Sequence, residues 1–404
     1  MRKVWKLQHR IVLTQISMNT LASPTSKLPD VGTTIFTVMS ALAAEQGALN
    51  LSQGFPDFDG PEALLAQVNA HMHNGENQYP PMAGAQPLRQ AIASKVRDLY
   101  ARICDAETEI TVTAGATEAL FCAIAAVVHS GDEVIVLDPA YDSYDPVIRL
   151  QGGTAVHVPL LAPNYRIDWE RIEHAMSSRT RLLILNSPHN PTGMVMNDDD
   201  IAALSVLCAK YPIYLIGDEV YEHMVFDQAK HLSLCGYNNL YERSFVISSF
   251  GKTYHVTGWK VGYCVAPPAL TVEFRRIHQY VTFTVNTPVQ LGIADFLDQH
   301  PEHHLQLPAF YQAKRDLFCD LLQGSRFSII PSQGTYFQLL GYETVTQEPD
   351  VSLARQWTCE HRIASIPISV FYQNPQECHH RALRFCFAKD DETLASAAEI
   401  LCRL

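Results

Sequence analysis

The stretch Arg181-Leu182-Leu183-Ile184-Leu185-Asn186-Ser187-Pro188-His189-Asn190-Pro191-Thr192-Gly193 decides the fold. Its first half is a brief, unbroken apolar run without the alternation of a half-exposed strand, so it reads as a strand buried on both faces. Its second half carries two prolines and a glycine and must leave that strand as a rigid loop. The same design repeats outward. Upstream, Ile110 to Thr113 leads through Ala114-Gly115 into an apolar helix over 116–129. Strands from Glu133 to Leu137 and Thr154 to Val158 follow, then a helical stretch near 168–177. Downstream, a helix over 198–210 precedes strands at Ile213 to Gly217, Phe245 to Ser249 and Val261 to Ala266. Short apolar strands separated by helices predict an α/β fold with a mostly parallel sheet covered on both faces. Such sheets bind ligands at the carboxyl ends of their strands. Polar residues just past these strands are therefore the candidates for chemistry.

The last hundred residues read differently. Ser325 to Ile330, Thr335 to Leu340 and Ala382 to Phe387 pattern as strands of a smaller α+β unit, and the proline-bounded segment Asn50 to Phe58 reads as extended. The expected division is a small domain of residues 30–60 plus 295–404 and a large domain of residues 61–294. Residues 1–29 contain no acid and carry Arg2, Lys3, Lys6, Arg10 and Lys27. Their only apolar core, Ile11-Val12-Leu13, is too short for a secretory signal. The expectation is a disordered leader, or an upstream start with Met18 as the initiator.

Composition sets outer limits. Of 404 residues, 47% are hydrophobic and 18% charged, which excludes a mainly disordered chain. With 42 acidic and 30 basic side chains the net charge is −12, which disfavours nucleic acid and anionic lipid as principal partners. Ten cysteines are scattered without a C-x-x-C pair, so neither a metal site nor a disulfide framework is suggested. Reduced thiols in a cytoplasmic protein are expected. The longest apolar run, Ala119 to Val128, is half a membrane span, and no membrane partner is expected.

Four strand ends hold unusual polar residues. Thr113-Ala114-Gly115-Ala116-Thr117-Glu118 is a glycine turn into a helix, whose free N–H groups suit a phosphate, though taken alone these residues favour a plain helix start capped by Thr117. The proline loop presents Asn190, as a functional amide or as a turn residue, and its neighbour His189 reads as a structural turn residue. Gly217-Asp218-Glu219-Val220-Tyr221 places the Asp218 carboxylate at the buried end of a strand, where it needs a cationic partner, a metal or an internal salt bridge. Ser248-Ser249-Phe250-Gly251-Lys252 ends a buried run on a lysine, with Lys260 eight residues on. A desolvated lysine has a depressed pKa and is a competent nucleophile toward carbonyl groups.

A lysine for an aldehyde, a carboxylate for a ring nitrogen, a tyrosine and an asparagine for a ring oxygen and a helix N-terminus for a phosphate together describe a pyridoxal phosphate site. From about Leu28 onward the sequence resembles the fold-type I, class I/II aminotransferases. Asn190-Pro191-Thr192-Gly193, Asp218-Glu219-Val220-Tyr221 and Ser249-Phe250-Gly251-Lys252 stand in the family's order and spacing. Leu51 to Phe58, Asn77-Gln78-Tyr79, Gly258 to Gly262 and Arg384 to Ala388 are similar to the methionine and kynurenine aminotransferase branch.

The resemblance implies a fold-type I transferase with pyridoxal 5'-phosphate as cofactor, amino acids and 2-oxoacids as substrates, and a homodimer. Lys252, Asp218 and Tyr221 would be catalytic. Lys252 would bond to the cofactor aldehyde and later move the substrate's proton, Asp218 would hold the ring nitrogen's proton, and Tyr221 and Asn190 would bind the ring oxygen. Tyr141 would stack on the ring. Ala116, Thr117, Ser249, Lys260 and the neighbouring subunit's copy of Tyr79 would bind phosphate, and Arg384 with Gly54 would bind the α-carboxylate together with Asn190. Lysine at 260, where many relatives carry arginine, is usual in this branch. No arginine occurs between Ile277 and Lys314, the region from which dicarboxylate-specific relatives supply one. Aromatic walls from Phe55, Tyr336 and Phe371 therefore imply methionine, then aromatic and other apolar amino acids, as donors. Competing readings are a carbon–sulfur β-lyase on the same machinery, kynurenine transamination as the main activity, and a regulator, which would need a DNA-binding domain ahead of the fold.

Overall fold

The computed structural model describes residues 24–404. Residues 1–23, most of the expected leader and Met18 with it, lie outside the described residues. Seven strands form the central sheet: β1 (Ile110–Thr113), β2 (Glu133–Asp138), β3 (Thr154–Pro159), β4 (Thr180–Asn186), β5 (Tyr214–Asp218), β6 (Ser244–Ser249) and β7 (Gly262–Val265). Their order is β1-β7-β6-β5-β4-β2-β3. Only β7 runs against its neighbours. Each expected strand of this sheet is present to within a residue at either end.

Register brings the polar strand ends level. Asn186 pairs with Asp218 and Asp218 with Ile247, so β4, β5 and β6 finish at one edge. Because β7 is antiparallel it begins at that same edge, with Gly262 beside both Thr113 and Ser249. A Cβ on Gly262 would sit 2.7 Å from the Ser248 carbonyl oxygen and 2.9 Å from the Ala116 nitrogen. Only glycine lets β7 press against the start of the helix Gly115–Val127, an almost wholly buried element that packs on the sheet. The helix Thr287–Gln299 is continuous and packs on the helices Glu62–His73 and Gln86–Tyr100.

A second sheet holds β8 (Ser328–Ile329), β9 (Phe337–Gly341), β10 (Ile366–Pro367) and β11 (Ala382–Cys386), all antiparallel in the order β10-β11-β9-β8. Arg384 lies mid-strand in β11, opposite Leu339 and Ile366. The N-terminal segment joins this unit: Leu49–Asn50 pairs with Ile363–Ala364, and the Cys386 N–H donates to the Leu51 carbonyl at 2.8 Å. Two expectations need correction. The strand expected over 325–330 shrinks to Ser328–Ile329. The segment Asn50 to Phe58 is not extended throughout, because Asn50 Oδ1 accepts from the Ser52 N–H and hydroxyl and turns the chain toward the sheet edge.

Candidate active site

A cavity of about 300 Å³ opens where these strand ends meet the second sheet. Gly54, Ala116, Thr117, Tyr141, Asn190, Asp218, Tyr221, Ser249, Lys252, Lys260 and Arg384, eleven of the residues singled out from sequence, line it together.

Asp218, the last residue of β5, is buried. The Tyr144 hydroxyl donates to its Oδ2 at 2.6 Å, while Oδ1 is buried with no hydrogen-bond partner. Burial pushes its carboxyl up to about 6, against the Tyr144 hydrogen bond that favours the charged form. An orphaned carboxylate oxygen on a cavity wall is suited to a cationic N–H group. The backbone around it is braced by Asn186, whose Nδ2 donates to the Asp218 carbonyl and whose Oδ1 accepts the Asn190 N–H, both at 2.8 Å.

Lys252 sits in the helical turn Phe250–Thr253 directly after β6. Its Nζ donates to the Gly54 carbonyl at 3.0 Å and to the Tyr336 hydroxyl at 2.9 Å. Burial brings its amine down to about 8, and the like charges of Arg384 and Lys260 act in the same direction. It is a nucleophile poised near neutrality.

At the opposite end, the helix Gly115–Val127 begins with Gly115 at φ +75°, and a Cβ there would lie 3.2 Å from Lys260 Nζ. The first-turn amides of Ala116 and Thr117, the Ser249 side chain and the Lys260 ammonium thus face one corner of the cavity. That corner suits an anion. The first-turn acid, Glu118, turns away: its Oε2 accepts the Ala114 N–H, and its Oε1 accepts from Cys122 Sγ at 2.9 Å and pairs with His278 Nδ1 at 2.8 Å. Glu118, Cys122 and His278 form the single metal-compatible cluster found among the described residues, and their hydrogen bonds to each other already occupy it.

Arg384 is fully buried. Its Nη1 donates to Asn190 Oδ1 at 2.8 Å and its Nη2 to the Ser52 carbonyl at 2.9 Å, while Nε has no partner. The guanidinium lies 3.9 Å from the centre of the Phe337 ring. Burial lowers it to about 10, so it stays charged. A buried cation with an open N–H is suited to a carboxylate.

Three expected substrate-pocket residues, Phe55, Tyr336 and Phe371, do not line the cavity, and Tyr79, expected to serve a neighbouring subunit, lies apart from it as well. Tyr79 is 83% exposed on the surface, against Phe283 at 5.5 Å between ring centres. Phe55 points outward over Lys389 Nζ, because the chain turns after Gly54. Tyr336 is buried behind the wall, against Lys252. Phe371 packs behind Arg384, its carbonyl accepting the Ala140 N–H at 2.7 Å. The expected aromatic wall is instead built from Phe36 and Phe337. His189 is a turn residue as expected: its N–H donates to the Met194 carbonyl, its Nδ1 meets Thr192 Oγ1 at 2.8 Å, and burial lowers it to about 3. Sequence reading missed Tyr144, Phe36 and Phe337. None stands directly after a strand of the central sheet, the local signal that marked Asn190, Asp218 and Lys252, and none lies in a motif that carries the family resemblance.

Residues 46–401 match the family model for aminotransferase class I and II. The chain belongs to that family. Class I/II aminotransferases use pyridoxal 5'-phosphate, and the residues present fit it: an orphaned Asp218 oxygen for a ring N–H, a reactive amine for an aldehyde, and an anion corner for a phosphate. The chain is 53% identical over 381 residues to the methionine aminotransferase of Escherichia coli strain K12, covering 94% of this chain and 98% of that one. It is 34% identical to a kynurenine–oxoglutarate transaminase of Dictyostelium discoideum, covering 94% and 96%. A solved E. coli structure reported with a methionine aminotransferase function superposes with a TM-score of 0.93 at 52% identity, covering 95% and 100%. As an aminotransferase of this fold, the chain has a mostly parallel seven-stranded central sheet and a smaller antiparallel sheet. Among the described residues, no helix is long and apolar enough to cross a membrane.

Proposed function

We propose that this aminotransferase moves the amino group of methionine, and more slowly of aromatic and other apolar amino acids, to a 2-oxoacid. The observation that carries the reading is the composition of the cavity wall. Its cations are Lys252, Lys260 and Arg384, and each faces a task at the reacting end of the substrate or at the cofactor. Beside Arg384 the wall is formed by Phe36 and Phe337 together with the uncharged groups of Gln53, Gly54 and Asn190. A second substrate carboxylate would be desolvated there without a cationic partner from this chain, at a cost of several kcal/mol. A thioether or aromatic side chain is favoured by the same rings.

The bound cofactor supplies an aldehyde for the substrate's amino group and an electron-accepting ring. Lys252 would hold the cofactor through its aldehyde and, with its amine free, would carry the proton away from the substrate Cα. Asp218 would keep the ring nitrogen protonated through Oδ1, with Tyr144 steadying its other oxygen. Tyr221 and Asn190 would hydrogen-bond the ring oxygen, and Tyr141 would pack against the ring. Ala116, Thr117, Ser249 and Lys260 hold the phosphate. Arg384 binds the α-carboxylate through its open Nε side, with the Gly54 backbone and Asn190 alongside.

The active unit in this proposal is a homodimer. Its support is an exposed aromatic pair, Tyr79 against Phe283, of a kind that a second copy would cover. The two lobes divide near residue 60 and after Gln299, where the helix packed on the large lobe ends, rather than at residue 294. A cytoplasmic setting accords with ten free cysteines. The test compares specificity constants for methionine and aspartate with a common 2-oxoacid. Methionine should be ahead by at least about a hundredfold, the equivalent of roughly 3 kcal/mol. A preference for aspartate overturns the pocket argument, and ammonia released without an acceptor points to the β-lyase instead.

A further inference from the structure

Tyr336 reads from sequence as a wall of the substrate pocket, but the structure puts it elsewhere. It is completely buried, its ring held edge-on against Tyr221 at 5.2 Å and Phe337 at 4.9 Å and tilted against Tyr311 at 5.7 Å. Its hydroxyl reaches the Gly54 carbonyl as a donor and accepts from Lys252 Nζ at 2.9 Å. Lys252 Nζ also donates to the Gly54 carbonyl at 3.0 Å. Three groups from distant parts of the chain thus close a hydrogen-bonded triangle around the reactive amine. Burial raises the Tyr336 phenol well above its ordinary range, so it keeps its proton and is not itself a base. With that proton committed to Gly54, the hydroxyl can only accept from the lysine.

A neutral amine has two N–H groups and one lone pair in a tetrahedral arrangement. Here the two N–H groups are taken by Gly54 and Tyr336. We propose that Tyr336 is a positioning residue that, with the Gly54 carbonyl, holds the free Lys252 amine by its two N–H groups and so leaves its lone pair for the proton of the substrate Cα. In that step the Cα–H bond breaks and an N–H bond forms on Nζ. The electron pair left behind is taken up by the cofactor ring, and the lysine becomes an ammonium that later returns its proton. The inference rests on the reading of Lys252 as the proton carrier.

Tyr336→Phe removes the hydroxyl and keeps the ring. With methionine as donor, kcat should fall about 10- to 100-fold, the loss of one hydrogen bond to a charged group. KM should change by less than about threefold. The primary isotope effect with α-deuterated methionine should rise, since proton removal becomes more fully rate-limiting. A second readout needs no turnover. In the apoprotein, the pH midpoint for acylation of Lys252 by acetic anhydride, followed by peptide mapping, should move downward, because the ammonium loses an acceptor. Tyr311→Phe, which alters the packing neighbour without touching Lys252, should leave isotope effect and midpoint unchanged. A Tyr336→Phe enzyme with altered KM but wild-type kcat, isotope effect and acylation midpoint would overturn the proposal and return Tyr336 to a pocket wall. So would a Tyr311→Phe variant that reproduced every change. A Lys252→Ala enzyme with undiminished turnover would instead remove the function reading itself.

Discussion

Replacing Arg384 by lysine keeps a positive charge at the carboxylate site but removes the planar fork. In the structure, Nη1 is tied to Asn190 Oδ1, Nη2 to the Ser52 carbonyl, and Nε is open. The ring of Phe337 at 3.9 Å fixes the plane of the guanidinium. An incoming carboxylate therefore meets a donor edge already oriented. Lysine offers a single ammonium at the end of a flexible stem and cannot keep both structural bonds while presenting two donors to the substrate. The loss is one charge-assisted hydrogen bond, about 1.5–3 kcal/mol, which corresponds to about a 10- to 150-fold drop in kcat/KM. Most of it should appear in KM, because the carboxylate is bound in ground and transition states alike. The decisive assay compares methionine with 3-(methylthio)propylamine, the same side chain without the carboxylate, in single-turnover reactions of wild type and Arg384→Lys. The amine should react equally slowly with both enzymes while methionine loses its advantage in the variant. Should the amine lose as much as methionine, Arg384 would be acting on the fold of the site and not on the carboxylate, and the argument would fail.

Asp218→Asn should lower turnover at least about a hundredfold, the usual scale for losing one preorganised electrostatic partner; near-normal turnover would make Asp218 a structural acid. For Lys252, held down at about 8 by burial, attachment of pyridoxal phosphate to the apoprotein should accelerate as pH rises through about 8 and then level off, read by stopped-flow absorbance. The unfolded lysine keeps its proton to about pH 10.4, so between these values the unfolded chain binds more protons, and this group should make apoprotein stability rise with pH. Glu222→Gln should destabilise the protein by about 3–5 kcal/mol in denaturant titration, because Lys95 Nζ, buried 2.7 Å from Glu222 Oε1, would lose its counter-charge. Adding Lys95→Met should recover part of that loss, and a single variant within about 1 kcal/mol of wild type would show that the pair is solvated.

Some of this site was legible because its sequence signals are local. Strands buried on both faces need unbroken apolar runs, so a polar residue just past such a run stands out by contrast. Asn190, Asp218 and Lys252 were readable in this way. The structure brings them to one cavity because register aligns the ends of β4, β5 and β6. The short β8 was overestimated for the opposite reason: at the rim of a small antiparallel sheet few residues are paired, and the apolar pattern around them outlasts the pairing.

Contacts between residues far apart in the chain came only with folding. Tyr144 reaches Asp218 across 74 positions, Tyr336 reaches Lys252 across 84, and Arg384 reaches Asn190 across 194. Periodicity reports which face of a strand or helix is apolar, not which neighbour that face meets. Tyr336, Phe55 and Phe371 therefore look alike in sequence, as aromatics near the site. Packing makes one a neighbour of the reactive amine, turns one to solvent and buries one behind the arginine. The sheet, the cofactor chemistry and the strand ends that carry it are written in local residue patterns. Which side chains steady those groups was decided by the way two sheets, drawn from both ends of the chain, close over one edge.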